Sequence, residues 1–404
     1  MVLRMAFLSV HSSPLGVMGG KDTGGMSGYL LGLSAALGNL GHQVDLYTRA
    51  QHIGGGSIHS LSANVRLITV DDGLGPLDKK EIYPHCESIA QTVLKFIQAE
   101  QVSYDLIFSH YWLSGCVGRY ISAAFNLPHH IMFHTLGRAK NEYCPSENEP
   151  QQRLAEEEAL AKEADLVVTA ALLEKDRLLH YYGLCPGKIA VVTCGVDRNL
   201  FSPGDCKEAR EKLGFGPEKI ILSVGRIEPV KGFKLLVDAA ALLPGEDNYR
   251  VVIVGGDSSS RAGIAALKEK IAEAGLAGRV TFTGIVEHHL LPAYYRAADL
   301  TVIASSYESF GMVALESLSC GTPLVGGTTG VMPELAGSPA ALSPVTVTMV
   351  GSREPSAWAA AVRNAYLLKN PLSADRINNL LAPYNWPDAA NQYIRSLQTT
   401  EFRI

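Results

Sequence analysis

Several patterns that define common protein classes are absent from this sequence. None of the seven cysteines in the 404-residue chain forms a C-x-x-C pair. This argues against a zinc site or a disulfide framework, and we expect reduced thiols and a cytoplasmic protein. No apolar run is long enough to cross a membrane, and the first one, Leu3 to Val10, leads into loop residues without a signal-peptide cleavage site. We expect that run to be a buried strand and the chain to have no integral membrane segment.

A strong excess of charge of one sign is also lacking. The chain has 35 lysines and arginines against 40 aspartates and glutamates, a net charge of −5. Broad electrostatic binding to nucleic acid or to acidic membranes is therefore not expected, although a local basic site for a phosphate fits this balance. Hydrophobic residues make up 47% of the chain, which is enough to give each of two or three domains its own core.

Two motifs of nucleotide-dependent enzymes are missing. No G-x-G-x-x-G follows the first strand, and the second strand ends in Thr48 and Arg49 rather than in an acidic residue. Both absences argue against a dinucleotide-dependent oxidoreductase. The sequence also has no D-x-D pair. We therefore expect no essential metal site on a diphosphate and no cofactor required for the chemistry.

Short apolar runs alternate with helical patterns along the chain, which predicts parallel sheets with helical crossovers. The strand candidates are residues 5–10, 42–49, 104–110, 129–137 and 164–171, and then 219–225, 249–256, 279–284, 299–305 and 322–327. Residues 192–204 between the two groups are rich in glycine, proline and turn formers. We predict an α/β fold of two Rossmann-like doubly wound domains facing a central cleft. Their limits are 1–200 and 201–384, with a hinge near 196–206 and a C-terminal helix over 385–404 that packs back towards the N-terminal domain.

Three segments carry glycines or charges beside predicted strand ends. In "KDTGGM", Gly24 and Gly25 precede a helical run and would let a large anion approach the helix amides, but an ordinary strand-to-helix turn explains them equally well. In "SVGRIEPVKGF", Arg226 and Lys231 suit a diphosphate, with two solvated surface charges as the alternative. His134 ends a strand before a polar loop, and is either a ligand contact or a packed side chain.

Two glutamates stand eight residues apart in "SSYESFGMVALESLSCGTP". On one helix Glu308 and Glu316 would lie about 80° apart, so we place Glu308 in a loop, Gly311 near a helix start and Glu316 within the helix. Carboxylates there suit sugar hydroxyls, and helix-end amides suit a phosphate; a cap with a surface glutamate is the alternative. The amides that would face the cleft belong to Ser309, Phe310, Gly311 and Met312.

Together these motifs resemble those of the retaining glycosyltransferases of the GT-B fold, family four. Gly225-Arg226 and Lys231-Gly232 match the pattern GR-x4-KG, Glu308 to Glu316 match E-x7-E, and "DTGGM" matches the glycine loop. The resemblance covers essentially the whole chain. In the N-terminal half it is similar to the branch that holds inositol-phosphate N-acetylglucosaminyltransferases of mycothiol synthesis and sucrose-phosphate synthases, through "SVHSSPLG", "SHYWLSG" and "FHTLGRAKN".

The resemblance implies roles for the candidate residues. Arg226 and Lys231 would hold the donor diphosphate, which Gly24 and Gly25 let approach the backbone. Glu308 would contact the donor sugar, His134 its sixth-carbon region, and Glu316 the ribose. The implied catalytic set is His134, Arg226, Lys231 and Glu308, and the implied donor set adds Gly24, Gly25, Ser309, Phe310, Gly311, Met312 and Glu316. The acceptor phosphate and ring would contact His11, Lys79, Tyr111, Thr135 and Arg153.

The implied activity is transfer, with retention, of N-acetylglucosamine or glucose from a nucleotide diphosphate sugar to a small phosphorylated acceptor. Uridine is the default base, and inositol phosphate or a hexose phosphate is the expected acceptor. The chain departs from the inositol-phosphate branch at Ser27, where that branch has Asn, and in "EYCPSENEPQQR", which leaves the acceptor open. An epimerase of the same fold, a non-catalytic sugar-binding protein and a transferase acting on a glycan or lipid-linked acceptor are the alternatives. The sequence is also compatible with a homodimer.

Overall fold

The N-terminal half of the chain is built on one mainly parallel sheet. The computed structural model describes residues 1–16, 24–245, 248–338, 346–367 and 373–399. Within them, the first eight strands form a sheet in the order β3-β4-β2-β1-β5-β6-β7-β8, and β3 alone runs antiparallel to its neighbour. These strands are β1 (Arg4–Leu8), β2 (Gln43–Arg49), β3 (Ser57–Ser62), β4 (Val65–Val70), β5 (Leu106–His110), β6 (His129–Met132), β7 (Leu166–Thr169) and β8 (Ile189–Val191).

Helices cover both faces of this sheet, which is why its central strands are buried along their whole length. They are α1 (Gly25–Asn39), α2 (Cys86–Ala99), α3 (Trp112–Phe125), α4 (Gly137–Tyr143), α5 (Gln151–Glu163) and α6 (Leu172–Tyr182). We call this sheet and its helices the N-terminal lobe.

The second half repeats the plan around a parallel sheet in the order β11-β10-β9-β12-β13-β14. Its strands are β9 (Lys219–Val224), β10 (Tyr249–Val254), β11 (Val280–Gly284), β12 (Leu300–Ile303), β13 (Leu324–Gly327) and β14 (Val347–Val350). Its helices are α7 (Cys206–Leu213), α8 (Phe233–Ala241), α9 (Arg261–Glu273), α10 (Leu291–Ala297), α11 (Met312–Ser319), α12 (Met332–Gly337), α13 (Pro355–Leu367) and α14 (Ala374–Leu381). We call this part the C-terminal lobe.

The predicted α/β fold with two sheets is confirmed, because each strand candidate overlaps a strand of the structure. The candidate at 129–137 is shorter than predicted: β6 ends at Met132, and His134 lies in the loop that follows. Strands β3, β4, β8 and β14 were not predicted from the sequence. Strand β3 is a largely exposed edge strand of small polar residues, and β8 and β14 are only three and four residues long.

The last helix, α15 (Trp386–Thr399), follows the C-terminal lobe in sequence but packs on α1 of the N-terminal lobe. The Tyr393 hydroxyl lies 2.8 Å from His130 Nδ1, and the Trp386 ring packs edge-on to Tyr29 with centroids 5.8 Å apart. Gly32 is required here, because a Cβ atom at this position would lie 2.1 Å from the Trp386 ring. The chain therefore ties the two lobes together a second time, after the connection near residue 200.

No helix within the described ranges combines the length and the apolar character needed to cross a bilayer.

Candidate active site

One cavity opens between the lobes, where loops from the carboxyl ends of both sheets meet, as expected for open parallel sheets. The N-terminal lobe lines it with residues after β1, β5 and β6 and at the start of α1. The C-terminal lobe lines it with residues after β9 and β12. The candidate residues on its wall are His11, Gly24, Gly25, Lys79, Tyr111, His134, Thr135, Arg153, Arg226, Lys231, Glu308, Ser309, Phe310, Gly311 and Met312. The structure thus brings together all the sequence candidates except Glu316.

The cations of the C-terminal lobe are already paired with carboxylates. Lys231 Nζ lies 2.6 Å from Glu308 Oε1, which also accepts a hydrogen bond from Ser305 Oγ at 2.8 Å. Arg226 forms an ion pair of 2.9 Å with Glu228. The glycine after Lys231 is essential to this arrangement, because Gly232 has φ of +70° and a Cβ atom there would lie 2.1 Å from the carbonyl oxygen of Ala304.

Hydrogen bonds with residues that follow β13 hold the loop between β12 and α11 in place. The Glu308 amide donates to Thr329 Oγ1 at 2.6 Å, and the Val331 amide donates to the Phe310 carbonyl at 2.7 Å. Gly311 caps α11 with φ of +97°. The placement of Glu308 in a loop and of a helix start at residue 312 is therefore confirmed, and the first turn of α11 presents its N–H groups beside the cavity.

Glu316 lies inside α11, as expected, but it does not line the cavity. Its carboxylate is buried, accepts a hydrogen bond from the Tyr295 hydroxyl at 2.7 Å, and lies 3.3 Å from His288 Nε2. The hydrogen bond that His288 donates to the Glu316 carboxylate raises the pKa of His288 above its ordinary value.

The acceptor candidates gather around the ring of Tyr111. The His11 ring lies 4.4 Å from it, Lys79 Nζ 5.5 Å and Arg153 Cζ 5.0 Å, measured to the ring centroid. Arg153 donates to the hydroxyl and the carbonyl of Thr135 at 3.0 and 2.9 Å. Two cations therefore lie close to one aromatic ring at the cavity wall.

Arg153 is also a structural residue, because it is fully buried between two acids. It pairs with Glu157 at 2.6 Å and with Glu149 at 2.9 Å. Lys140 also lines the cavity and pairs at 2.6 Å with Glu149, which lies within the segment "EYCPSENEPQQR". Lys140 was not predicted, although it stands in the motif "GRAKN" itself.

Two cavity residues that follow strands have left-handed backbones: Tyr111, directly after β5, with φ of +76°, and His134, in the loop after β6, with φ of +58°. Such conformations cost energy in residues with side chains and occur often at functional sites. His134 Nε2 lies 2.9 Å from His110 Nδ1. Burial lowers the pKa of His134 to about 3, so its imidazole is neutral and can donate or accept one hydrogen bond.

Three more residues of the site were missed by sequence reasoning: Tyr307, Glu174 and Arg177. Tyr307 lines the cavity directly before Glu308, and its position next to the E-x7-E motif was the one available signal. Glu174 and Arg177 lie on α6, and nothing in the sequence separates them from ordinary charged residues of a surface helix.

Two lobes that share a cavity at the ends of parallel strands define the GT-B class of glycosyltransferases. Residues 23–200 match the family model described as Glycosyltransferase Family 4, and residues 205–379 match Glycosyl transferases group 1. The D-inositol 3-phosphate glycosyltransferase of Corynebacterium glutamicum (strain R) is 35% identical over 373 residues, which are 89% of this chain and 87% of that protein.

The same relationship appears in a second relative and in a solved structure. The D-inositol 3-phosphate glycosyltransferase of Geodermatophilus obscurus is 36% identical over 384 residues, 92% of this chain and 84% of that protein. The sucrose-phosphate synthase of Thermosynechococcus elongatus superimposes with a TM-score of 0.87 at 28% identity over 98% of both chains. The chain therefore belongs to glycosyltransferase family four, and it is a transferase enzyme.

Proposed function

We propose that this enzyme transfers N-acetylglucosamine or glucose, with retention of configuration, from a uridine diphosphate sugar to a small phosphorylated acceptor such as inositol phosphate. The observation that carries the proposal is the presence of two cationic groups on facing walls of one cavity. Arg226 and Lys231 lie on the C-terminal lobe beside the start of α11, a combination that suits a diphosphate. Lys79 and Arg153 lie on the N-terminal lobe, where a second, smaller anion fits.

Each group has a role in the proposed reaction. Glu308 and the neutral His134 accept or donate hydrogen bonds to hydroxyls of the donor hexose. Arg226, Lys231 and the amides of α11 stabilise the negative charge that develops on the departing diphosphate. Glu316, which contacts Tyr295 and His288 next to the cavity lining formed by the start of α11, is assigned the ribose hydroxyls, as the family resemblance implies.

The chemical step needs no nucleophile from the protein. The bond between the anomeric carbon and the diphosphate oxygen breaks, and the acceptor oxygen forms its bond to that carbon on the same face. The acceptor hydroxyl passes its proton to the departing diphosphate oxygen. Closure of the lobes excludes water, which would otherwise take the acceptor's place. We place the reaction in the cytoplasm, in keeping with seven cysteines that are free in the structure.

A matrix of substrates tests this proposal. Uridine and guanosine diphosphate sugars are each combined with inositol 3-phosphate, fructose 6-phosphate, glucose 6-phosphate and unphosphorylated inositol, and the released nucleoside diphosphate is measured. We expect release that depends on a phosphorylated acceptor. Equal release with unphosphorylated inositol would contradict the phosphate site, and isomerised donor without any acceptor would show an epimerase instead.

A further inference from the structure

A buried polar network crosses from one lobe to the other behind the cavity. Tyr307 of the C-terminal lobe is 3% exposed, and its hydroxyl donates to Glu174 Oε1 at 2.6 Å. The same hydroxyl accepts a hydrogen bond from the Leu136 amide at 2.8 Å. Glu174 and Leu136 both belong to the N-terminal lobe, so one hydroxyl holds two groups of the opposite lobe.

The network ends in two loops that line the cavity. We call the loop after β6, which holds Thr135, the acceptor loop, and the loop after β12, which holds Glu308, the donor loop. Leu136 directly follows Thr135 in the acceptor loop, and Tyr307 directly precedes Glu308 in the donor loop. A change in the position of either loop is therefore passed to the other through one side chain.

Arg177 completes the network from α6. Its Nη1 atom donates to Glu174 Oε2 at 3.1 Å and to the backbone carbonyl of Glu308 at 3.3 Å. Its guanidinium also lies over the rings of Tyr307 and Tyr143, 4.8 and 5.0 Å from their centroids. Arg177 of the N-terminal lobe thus donates a hydrogen bond to the backbone of Glu308, the residue that we assign to the donor sugar.

The cross-lobe bonds can form only while the lobes stand in this relative position. If the lobes separate, the Leu136 amide and Glu174 Oε1 lose the Tyr307 hydroxyl, and Arg177 loses the Glu308 carbonyl, while the Arg177–Glu174 pair within α6 remains. Each of these cross-lobe hydrogen bonds stabilises the joined arrangement. The network therefore favours one relative position of the two loops over all others.

We propose that Tyr307, together with Glu174 and Arg177, is a positioning device that couples the acceptor loop to the donor loop, so that each substrate strengthens the binding of the other. The proposal rests on the function proposed above, because it assigns a substrate to each loop. Coupling of this kind is reciprocal by thermodynamic necessity, so it can be measured from either substrate.

Tyr307→Phe tests the coupling, since it removes the shared hydroxyl and keeps the ring. Calorimetric titration with inositol 3-phosphate, with and without saturating UDP, gives the factor by which UDP tightens acceptor binding. We expect this factor and kcat to fall about tenfold or more in the variant, the effect of leaving a buried donor and acceptor unpaired. Arg177→Lys keeps the charge beside Glu174 but shortens the reach to Glu308, and should lower the factor as well.

Tyr249→Phe is the matched control. Tyr249 is equally buried, its hydroxyl donates to the Ala240 carbonyl at 2.6 Å, and Arg279 Cζ lies 5.0 Å from its ring centroid. Its side chain lies outside the cavity, so the coupling factor should stay at the wild-type value.

The outcomes separate this proposal from the assigned function. A wild-type enzyme that transfers sugar, with a Tyr307→Phe variant that keeps the wild-type factor and kcat, overturns the coupling alone. A wild-type protein that transfers sugar to no phosphorylated acceptor overturns both.

Discussion

At the scale of single residues, most cations on the cavity wall are paired with acids. Lys231 contacts Glu308, Arg226 contacts Glu228, and Arg153 lies between Glu149 and Glu157. A phosphate group that enters the cavity must share these cations with their carboxylates. We therefore propose that these paired cations contribute most where new negative charge appears during the reaction, and less to ground-state binding.

Lys231→Ala tests this role of the paired cations on the donor side of the cavity. We expect kcat to fall by two to three orders of magnitude, because a preorganised group that faces developing charge contributes about 2–4 kcal/mol. The fold should survive, since the side chain lies at the cavity wall. The exposed Lys268 of α9 provides the control, and Lys268→Ala should leave kcat unchanged. Near-normal turnover of Lys231→Ala at saturating donor would refute the assignment of this residue.

Lys79→Ala tests the acceptor side. Lys79 lies over the Tyr111 ring at the cavity wall, while its neighbour Lys80 is exposed and lies outside the cavity. We expect the KM for the acceptor to rise about tenfold or more in Lys79→Ala, because a charge-assisted hydrogen bond contributes about 1.5–3 kcal/mol. The KM for the donor should change little, and Lys80→Ala should change neither. Equal rises in both KM values would count against a separate acceptor site.

Arg153 is a poorer test of the acceptor site, although the family resemblance assigns it to that site. Its removal leaves Glu157 buried without a cation, and breaking a buried pair in this way costs about 3–5 kcal/mol. A loss of activity in an Arg153 variant would therefore mix binding with unfolding.

At the scale of helices and strands, burial decides what could be predicted from the sequence. Strands β1, β5, β6 and β9 are buried between helices on both faces of their sheets. The alternation of short, mainly apolar runs with helical patterns along the chain predicted each of them. The β3 edge strand, "SIHSLS", is largely exposed and has no such run, so its hairpin with β4 escaped prediction.

The residues of the site also differ in whether the sequence could predict them. Residues that belong to local motifs, such as Lys231, Gly232 and Glu308, could be assigned to one cleft because each follows a strand end. The network of Tyr307, Glu174 and Arg177 could not be assigned in this way, because its members are far apart in the chain. Arg177 and Glu308 are separated by 131 residues, and Glu174 and Tyr307 by 133 residues. Contacts of that range depend on how the lobes dock, which no local pattern encodes.

The contact of α1 with α15 gives a prediction at this scale. Gly32→Ala should lower the thermal unfolding midpoint, because a Cβ atom 2.1 Å from the Trp386 ring forces the helices apart, and overpacking of this kind costs about 1–3 kcal/mol. Gly337→Ala is the control, since that helical glycine has no atom within 4 Å of its added Cβ. An unchanged midpoint for Gly32→Ala would show that α15 does not hold α1 in this way.

At the scale of the whole molecule, several features within the described ranges join the two lobes. The chain passes between them near residue 200, α15 returns to pack on α1, and the network around Tyr307 crosses behind the cavity. The Leu172 amide adds a further cross-lobe hydrogen bond, of 2.8 Å, to Glu334. Each lobe supplies one wall of the cavity, so neither lobe alone contains the proposed site.

The most direct test of this account is a crystal structure of the enzyme with UDP-N-acetylglucosamine bound. We predict that the diphosphate lies within hydrogen-bond distance of Arg226 and Lys231, and that Glu308 contacts hydroxyls of the hexose. A donor bound with its diphosphate away from these two cations, or outside the cavity between the lobes, would contradict the account.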